Sequence, residues 1–361
     1  MKIILAPDSF KGSLSASEVA DILAEELAKV IPDADIVRIP IADGGEGTLD
    51  CFSAFTDGEI VEETVTGPDG DKLSARYLLS GDTAVIETAS AAGITLSRLH
   101  SAAKTTTFGV GELISKAEMR GAKRFILGIG GSATNDGGCG LAAALGAEFF
   151  DAEGKKFIPV GETLSRIESI TFPGKRDITV LCDVKNPLYG ENGAAYVYAP
   201  QKGASPDEAR MLDDGLRHYA SVLEGYGISV ADMPGAGAAG GLGAGLVAFF
   251  DAVLRRGIDT ILELSGFAEK AEGADFVITG EGTLDSQSFS GKVIDGIIAA
   301  SGQAEVIAAV GISKIANPDE YGLCAVFESN EKHLPFEQIL PTAAEDMHRC
   351  AARVAEFIIQ K

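Results

Sequence analysis

The sequence contains five short glycine-rich segments, and in four of them the glycines stand beside hydroxyl, carboxylate or lysine side chains. They span residues 6–15, 42–48, 128–138, 234–243 and 279–286. We expect them at strand ends, and open α/β sheets bind ligands just outside the carboxyl ends of their strands. Such parts suit phosphoryl transfer from a nucleotide, which needs positioning and charge neutralisation rather than covalent catalysis. No GxSxG or Cys/His motif offers a competing nucleophile.

The first segment places Asp8, Ser9 and Lys11 directly after a predicted strand. Lys11 can meet a phosphate or a carboxylate as a point charge. The alternative is a helix start, because Ser13 or Ser15 can open the following helix and the glutamate three residues after Ser15 completes a capping box. Both interpretations are compatible, since the cap leaves the three earlier side chains available.

The second segment, ADGGEGT, has three glycines in four positions. Gly44 and Gly45 let a backbone approach a ligand and turn its N–H groups inward. Asp43 and Glu46 would add carboxylates that bind a metal or a hydroxyl group. The alternative is a plain turn with a solvated aspartate, although a turn needs only one or two glycines.

The third segment, GIGGSATNDGG, predicts a strand, then a Gly/Ser/Thr loop, then a small-residue helix over 139–147. A loop of this kind at a helix N-terminus binds phosphates. It is neither a Walker A loop nor a GxGxxG fingerprint. The alternative, close packing of helix on sheet, explains the alanines and part of the glycines. The candidate phosphate-binding residues are Gly130, Gly131, Ser132, Thr134 and Asn135.

The fourth segment matches GxGxxG at Gly235, Gly237 and Gly240. The residues before it, VADMP, do not form a convincing strand, so we reject an NAD fingerprint. A phosphate-covering loop and close helix packing both remain open.

The fifth segment ends the predicted strand DFVIT with Glu281, and Lys292 follows it. Asp183 holds the same position after the predicted strand TVLC. Single carboxylates at strand ends fit Mg²⁺, which takes one or two carboxylates and keeps several waters. They also fit general-base work on a hydroxyl group. For Asp183, capping of the following turn is the alternative.

The composition excludes several classes of function. The chain has 361 residues, with 30 Lys+Arg and 53 Asp+Glu, and its formal net charge is −23. Binding to nucleic acid or to an anionic membrane needs clustered basic residues, which the sequence lacks. The N-terminal apolar run is too short for a secretory signal, so we expect a cytoplasmic protein. The five cysteines include no CxxC and are expected to be free thiols.

The order of apolar runs predicts an α/β fold with two domains. One domain is a doubly wound, flavodoxin/Rossmann-like parallel sheet, with predicted strands at 2–6, 35–41, 275–279, 305–310 and 323–327. The other is an inserted mixed α/β domain, in which runs at 59–66, 73–79 and 84–88 predict antiparallel hairpins. We place the first domain at 1–60 and 255–361, and the inserted domain at 61–254.

At the same segments the chain resembles the bacterial glycerate kinase family, of the type 1, glycerate 2-kinase-like class. The resemblance covers essentially the whole chain and departs from the family pattern only mildly, at Asp69. It runs through APDSFKGSLSA, ADGGEGT, VTGPDG, ETASAAG, TTFGVGELI, GIGGSATNDGGCG, CDVKNPLYG, PGAGAAGGLG and ITGEGTLDSQSFSGK. It implies ATP-dependent phosphorylation of D-glycerate with Mg²⁺, 2-phosphoglycerate as the product, and an active site in the interdomain cleft. No nucleic-acid or membrane partner is expected, and a homodimer is the assembly we consider.

Within this resemblance we assign roles by residue type. The catalytic candidates are Asp183, as general base, Lys11 and Asp43. The substrate-binding candidates are Asp8, Ser9, Gly44, Gly45 and Glu46. Lys292 joins the third segment as a nucleotide-phosphate ligand, and Asp183 and Glu281 are the Mg²⁺ ligands. The rival interpretations are a non-catalytic sensor of a hydroxy acid and a nucleotide, which should lack these carboxylates, and a weaker NAD-linked dehydrogenase.

Overall fold

The structure is a computed structural model that describes residues 1–42, 44–45, 47–289 and 292–361. Asp43 and Glu46, two of the predicted site residues, lie outside the described residues. Within the described ranges the chain forms these strands: β1 (Lys2–Pro7), β2 (Asp35–Arg38), β3 (Glu59–Thr66), β4 (Lys72–Ser80), β5 (Thr83–Glu87), β6 (Arg124–Gly128), β7 (Glu148–Phe150), β8 (Lys156–Phe157), β9 (Ser169–Thr171), β10 (Asp177–Leu181), β11 (Val253–Arg255), β12 (Phe276–Gly280), β13 (Thr283–Leu284), β14 (Glu305–Val310), β15 (Ile312–Ser313) and β16 (Ala325–Glu328).

The α-helices in the same ranges are α1 (Ala16–Val30), α2 (Thr48–Ser53), α3 (Ala89–Ala92), α4 (Phe108–Met119), α5 (Cys139–Ala144), α6 (Ala194–Tyr198), α7 (Pro206–Gly225), α8 (Ala238–Phe250), α9 (Gly257–Leu264), α10 (Phe267–Ala271), α11 (Val293–Ala300), α12 (Phe336–Ile339) and α13 (Ala343–Gln360). Short 3₁₀ turns connect several of them. None of the helices in the described part of the chain has the length and apolar character needed to cross a membrane.

The chain divides into two compact units. The first unit comprises Met1–Asp43, Asp50–Phe55 and Ile258–Lys361. The second comprises Gly44–Leu49 and Thr56–Gly257. Each unit has its own sheet and its own apolar core.

The sheet of the first unit is parallel, with strands in the spatial order β2, β1, β12, β14 and β16. β1 pairs directly with β12, which confirms that N-terminal and C-terminal strands share one sheet. When the strands are numbered within this sheet alone, this is the flavodoxin-like order 2-1-3-4-5. Ile3 and Leu5 belong to a core shared with α1 and α13, whereas Ile4 and Val277 are fully buried outside that core. Because successive side chains of a strand alternate between faces, both faces of this sheet are covered.

Helix α1 begins where the sequence predicts. The Ser15 hydroxyl accepts a hydrogen bond from the Glu18 backbone N–H, and the Glu18 carboxylate accepts one from the Ser15 backbone N–H. This capping box satisfies N–H groups that the first turn would otherwise leave unpaired. α1 packs against α13, whose buried residues recur at helical spacing from Met347 to Ile358. α13 is therefore an amphipathic helix that buries one face against α1.

The sheet of the second unit is mixed, with strands in the order β11, β10, β6, β5, β4 and β3. β3, β4 and β5 form the predicted antiparallel hairpins, and β5, β6, β10 and β11 run parallel. The predicted fold class, a parallel sheet together with a mixed sheet, is thus confirmed. A separate antiparallel sheet, β8-β7-β9, was not predicted, because its strands have only two or three residues each.

Several predicted bounds are corrected. The strand predicted at 35–41 is regular only as far as Arg38, although the N–H groups of Ile39 and Ile41 still donate to the carbonyl oxygens of Leu5 and Pro7 at 2.7 and 2.9 Å. The small-residue helix predicted over 139–147 ends at Ala144. All five cysteines are free thiols, as predicted.

The glycine-rich fourth segment packs closely instead of forming a fingerprint loop. A Cβ atom on Gly240 would lie 2.0 Å from the Thr134 carbonyl oxygen, and one on Gly245 would lie 2.2 Å from that of Gly137. The Gly137 N–H donates to the Gly240 carbonyl oxygen at 3.1 Å. The structure therefore shows close packing at Gly240, whereas Ala238 and Ala239 of the same segment line a cavity, so the phosphate-covering loop stays a prediction.

A substitution at Gly109 tests how tightly α4 packs on β3. A Cβ atom there would lie 1.8 Å from the Thr66 carbonyl oxygen, so Gly109→Ala must displace backbone. We expect a loss of about 1–3 kcal/mol in the free energy of unfolding, measured by urea denaturation. The matched control is Gly225→Ala in α7, where the space is open; it should gain about 0.5–1 kcal/mol. Equal effects of the two substitutions would contradict the packing argument.

Candidate functional site

The first unit has a cavity of about 430 Å³ at the carboxyl ends of its parallel strands. We call it the first-unit cavity. Many of its described lining residues follow strands: β1 (8–11), β12 (281–283), β14 (311–312) and β16 (329–330). Others belong to segments near α11, α12 and α13. The residues after β1 and β12 flank the point where the strand order reverses. Ligands of open α/β sheets bind at such a point.

Backbone hydrogen bonds join these loops to one another. The Asp8 N–H donates to the Gly280 carbonyl oxygen at 2.8 Å. The Gly311 N–H donates to Glu281, and the Asn330 N–H to Gly311, each at 3.0 Å. The loops after four neighbouring strands therefore hold one another in place, which pre-organises the floor of the cavity.

Charged side chains of both signs line the first-unit cavity. Ser9, Lys11 and Lys292 line it together with Asp8 and Glu281, so the structure brings five predicted site residues together. Burial raises the pKa of Glu281, while a hydrogen bond with the Ser288 hydroxyl and the positive charges of Lys292 and Lys11 lower it. One oxygen of Glu281, Oε1, is buried and has no hydrogen-bond partner among the described residues. A buried carboxylate oxygen in that condition suits a cation.

Part of the wall of the first-unit cavity is apolar, which the sequence did not indicate. Leu334 and Phe336 line it although each is more than two-fifths exposed. Phe10 also lines this cavity and is buried. The other apolar lining residues are Leu14, Val293, Ile312, Ile339 and Ala343. A cavity that combines lysines, carboxylates and an apolar wall fits a ligand with both a charged and an apolar part.

The second unit has a cavity of about 360 Å³, the second-unit cavity. Its described lining residues follow β6 (129–132) and β10 (182 and 184), or lie near α3, α6 and the start of α8. They are Ile94, Ile129, Gly130, Gly131, Ser132, Cys182, Val184, Tyr198, Gln201, Lys202, Ala238 and Ala239. Gly130, Gly131 and Ser132 thus line a cavity as predicted. Thr134 and Asn135 are fully buried and are not among the described lining residues.

Lys202 brings a positive charge to the second-unit cavity. Only 4 % of the residue is exposed. Its Nζ donates hydrogen bonds to Ser132 Oγ at 3.0 Å and to the Thr134 carbonyl oxygen at 2.7 Å. Burial lowers the pKa of Lys202 to about 7, and the negative charge of Asp136 opposes that shift. The residues APQKGAS around Lys202 match no motif, so sequence reasoning had no signal for it.

Asp136 is fully buried behind the same loop and organises it. Its Oδ2 accepts hydrogen bonds from the Thr107 N–H and hydroxyl, both at 2.8 Å, and from the Gly140 N–H at 3.2 Å. Its Oδ1 accepts one from the Gly138 N–H at 3.1 Å. These donors lie at the starts of α4 and α5, so one carboxylate joins both helices to the loop. Burial raises the pKa of Asp136, and these hydrogen bonds counteract the rise.

Other predicted residues have mainly packing contacts. A Cβ atom on Gly44 would lie 2.7 Å from Leu181 Cβ, and one on Gly130 would lie 2.7 Å from Gly45 Cα. Gly44 and Gly45 are not among the described residues that line either cavity. Asp183 belongs to the second unit, where its Oδ1 accepts a hydrogen bond from the Gly257 N–H at 2.9 Å.

Within the described ranges, no group of three or more His, Cys, Asp or Glu residues is placed to hold a metal ion. Mg²⁺ does not require such a group, because it is commonly held by one or two carboxylates together with waters and substrate phosphates. Glu281 in the first-unit cavity is therefore a described carboxylate whose surroundings fit such an ion.

Comparison with known proteins identifies relatives over the full length of the chain. The model of the "Glycerate kinase family" matches residues 3–359. A "Glycerate kinase" of Bacillus subtilis (strain 168) is 43% identical over 374 residues, which covers 99% of this chain and 98% of the relative. A "Glycerate 2-kinase" of Escherichia coli (strain K12) is 44% identical over 342 residues, covering 91% and 90%. The crystal structure of a putative glycerate kinase 2 from Salmonella typhimurium LT2 superposes with a TM-score of 0.87 at 42% identity, covering 100% of this chain and 98% of that one.

Asp136→Asn tests the role of the buried carboxylate. An asparagine side chain must present its NH₂ group to an N–H donor on one side, so at least one buried hydrogen bond becomes a repulsive contact. We expect a loss of about 2–4 kcal/mol in the free energy of unfolding, measured by denaturation. Asp207→Asn, on a side chain that is 93% exposed, is the control and should have little effect. If the two variants unfold alike, Asp136 does not hold the two helices.

Proposed function

The chain belongs to the glycerate kinase family, and on that premise we propose that it transfers the γ-phosphoryl group of ATP to the C2 hydroxyl of D-glycerate. The observation that carries the proposal is the 44% identity, over most of both chains, to a protein named glycerate 2-kinase. The lysines and carboxylates of the first-unit cavity provide groups for the phosphates, since phosphoryl transfer depends on positioning and electrostatic stabilisation. The two products are 2-phosphoglycerate and ADP.

We propose the following roles for the residues of the first-unit cavity. Lys11 and Ser9 contact the transferring phosphoryl group, and Lys292 contacts a nucleotide phosphate. Asp8, next to Ser9, accepts the Ser9 N–H hydrogen bond at 2.6 Å and so orients this loop. Positive charges aimed at the equatorial phosphoryl oxygens stabilise the charge that develops in the transition state.

We propose that Glu281, together with Asp183, binds the Mg²⁺ that accompanies ATP. The buried Oε1 atom of Glu281 supports its assignment. Mg²⁺ supplies charge neutralisation between the phosphate oxygens. Of the other predicted residues, Asp43 and Glu46 lie outside the described chain and keep their proposed roles in catalysis and in substrate binding. Gly44 and Gly45 would shape the backbone beside them.

In the second unit, we propose that Asp183 acts as the general base. Its hydrogen bond with the Gly257 N–H orients the carboxylate. As the C2 hydroxyl oxygen forms a bond to the γ-phosphorus, the bond to the β–γ bridging oxygen breaks and the hydroxyl proton passes to Asp183. The loop of Gly130, Gly131 and Ser132 contacts anionic oxygens of a substrate, and the buried Thr134 and Asn135 support that loop from behind.

The reaction is tested with purified protein, ATP, Mg²⁺ and D-glycerate. We expect release of ADP that depends on D-glycerate, with the product identified by proton-coupled ³¹P NMR. Phosphate on C2 couples to one proton and gives a doublet, whereas phosphate on C3 couples to two protons and gives a triplet. Absence of ADP release would reject the kinase in favour of a binding protein, and a triplet would reject the C2 assignment.

The residue roles are tested by substitution in the same assay. Lys11→Ala and Asp183→Asn should each lower kcat/KM by roughly 10²-fold or more, since each removes a charge used in the transition state. Glu281→Gln should raise the Mg²⁺ concentration needed for half the maximal rate, because it removes one charged ligand. Lys270→Ala, on an exposed helix position of the first unit, is the control. Near-native kcat/KM in Lys11→Ala or Asp183→Asn would remove that residue from the proposed site.

A further inference from the structure

The second-unit cavity holds one charged side chain among its described lining residues, and that side chain is Lys202. The neighbouring groups are neutral: Ser132, Tyr198 and Gln201 offer hydroxyl or amide groups, and the remaining lining residues are glycine, alanine, cysteine or aliphatic. A cavity with one positive charge and several neutral hydrogen-bonding groups matches a small anion that carries one negative charge and hydroxyl groups.

Burial of the charged Lys202 side chain costs the folded protein free energy. A ligand that uses this charge gives a reason for its presence. An ammonium group has three N–H donors, and among the described residues its acceptors are Ser132 Oγ and the Thr134 carbonyl oxygen. A buried lysine without a bonded carboxylate is disfavoured by desolvation, and an apolar side chain of similar length would fill the same space. Asp136 contributes an opposite charge nearby, but its two oxygens already accept four hydrogen bonds from the starts of α4 and α5.

The first-unit cavity has a different charge pattern. Lys11 and Lys292 line it together with Asp8, Glu281 and Asp346, a combination of cations and carboxylates that suits a polyphosphate accompanied by a divalent cation. The second-unit cavity lacks any described lining carboxylate that could share a metal ion. The two cavities therefore differ in the anion each one fits.

We propose that Lys202 binds the carboxylate of the hydroxy-acid acceptor in the second-unit cavity, next to the Gly130–Ser132 loop. This inference rests on the proposed function and names a residue for the acceptor. A charge-assisted hydrogen bond from Lys202 Nζ would pair with a carboxylate oxygen, and Ser132 Oγ is close enough to the same nitrogen to hydrogen-bond an adjacent oxygen.

The first test measures KM for each substrate separately, at saturating concentrations of the other. Lys202→Met keeps the length of the side chain and removes its charge, so KM for D-glycerate should rise roughly tenfold or more. KM for ATP should stay within about twofold, because the nucleotide does not use this residue. Lys202→Arg, which keeps the charge, should recover part of the affinity for D-glycerate. Lys175→Met, an exposed lysine of the same unit, is the matched control.

Two outcomes of that test overturn the proposal. An unchanged KM for D-glycerate in Lys202→Met assigns Lys202 a purely structural role. A rise in KM for ATP alone assigns the loop and Lys202 to the nucleotide phosphates. If the wild-type protein releases no ADP with D-glycerate, the proposed function fails instead, which is a distinguishable result.

The second test follows the pH dependence of the reaction in the wild-type protein and in Lys202→Arg. Burial lowers the pKa of Lys202 to about 7, so kcat/KM for D-glycerate should fall as the pH rises above that value and the lysine loses its charge. The titratable groups around Lys202 are Asp136, Cys182 and Tyr198. Burial raises the pKa of Cys182 to about 11 and raises that of Tyr198 above its ordinary value, so both stay protonated near neutral pH. The fall should disappear in Lys202→Arg; a fall that persists there belongs to another group and overturns the proposal.

Discussion

One buried carboxylate sets the geometry on which the second unit depends. Asp136 accepts four hydrogen bonds from groups at the starts of two helices, in a position without solvent exposure. A buried charge is tolerated when donors surround it, and those donors then become fixed in position. The loop that precedes Asp136 carries Ser132, and Lys202 is held to that loop by two hydrogen bonds. The shape of the second-unit cavity therefore follows from how Asp136 is satisfied.

Local charge also resolves a difficulty posed by the composition. A net charge of −23 repels ATP and glycerate, which are both anions. Each cavity counters that field with its own lysines, two in the first unit and one in the second, among the described lining residues. In the first-unit cavity, carboxylates accompany the lysines, and this combination favours an anion that brings its own cation. Most of the other acidic residues remain a solvated surface that keeps the protein soluble.

The sequence predicts the structure correctly where the interactions that determine it are local or periodic. The capping box of Ser15 and Glu18, the β3–β5 hairpins and the buried parallel strands all follow from spacing over a few residues. Asp136 and Lys202 could not be identified, because their roles depend on partners 29 and 70 residues away in the chain. The NDGG stretch did contain a weak signal, an aspartate just before a helix start, but the apolar wall around Phe336 contained none that spacing could reveal.

Several residues that line the second-unit cavity have small side chains or none, and this limits how the shape of the cavity can be altered. Gly130 and Gly131 have no side chains to shorten, and Ala239 already occupies a left-handed conformation with φ of 53°. The next residue, Gly240, has no room for a side chain, because a Cβ atom there would lie 2.0 Å from the Thr134 carbonyl oxygen. The shape of this cavity is therefore more readily changed at lining residues with larger side chains, such as Val184, Tyr198 and Gln201. In a laboratory evolution experiment, substitutions that change which ligands this cavity accepts should therefore occur at those three positions, while the glycines stay constant.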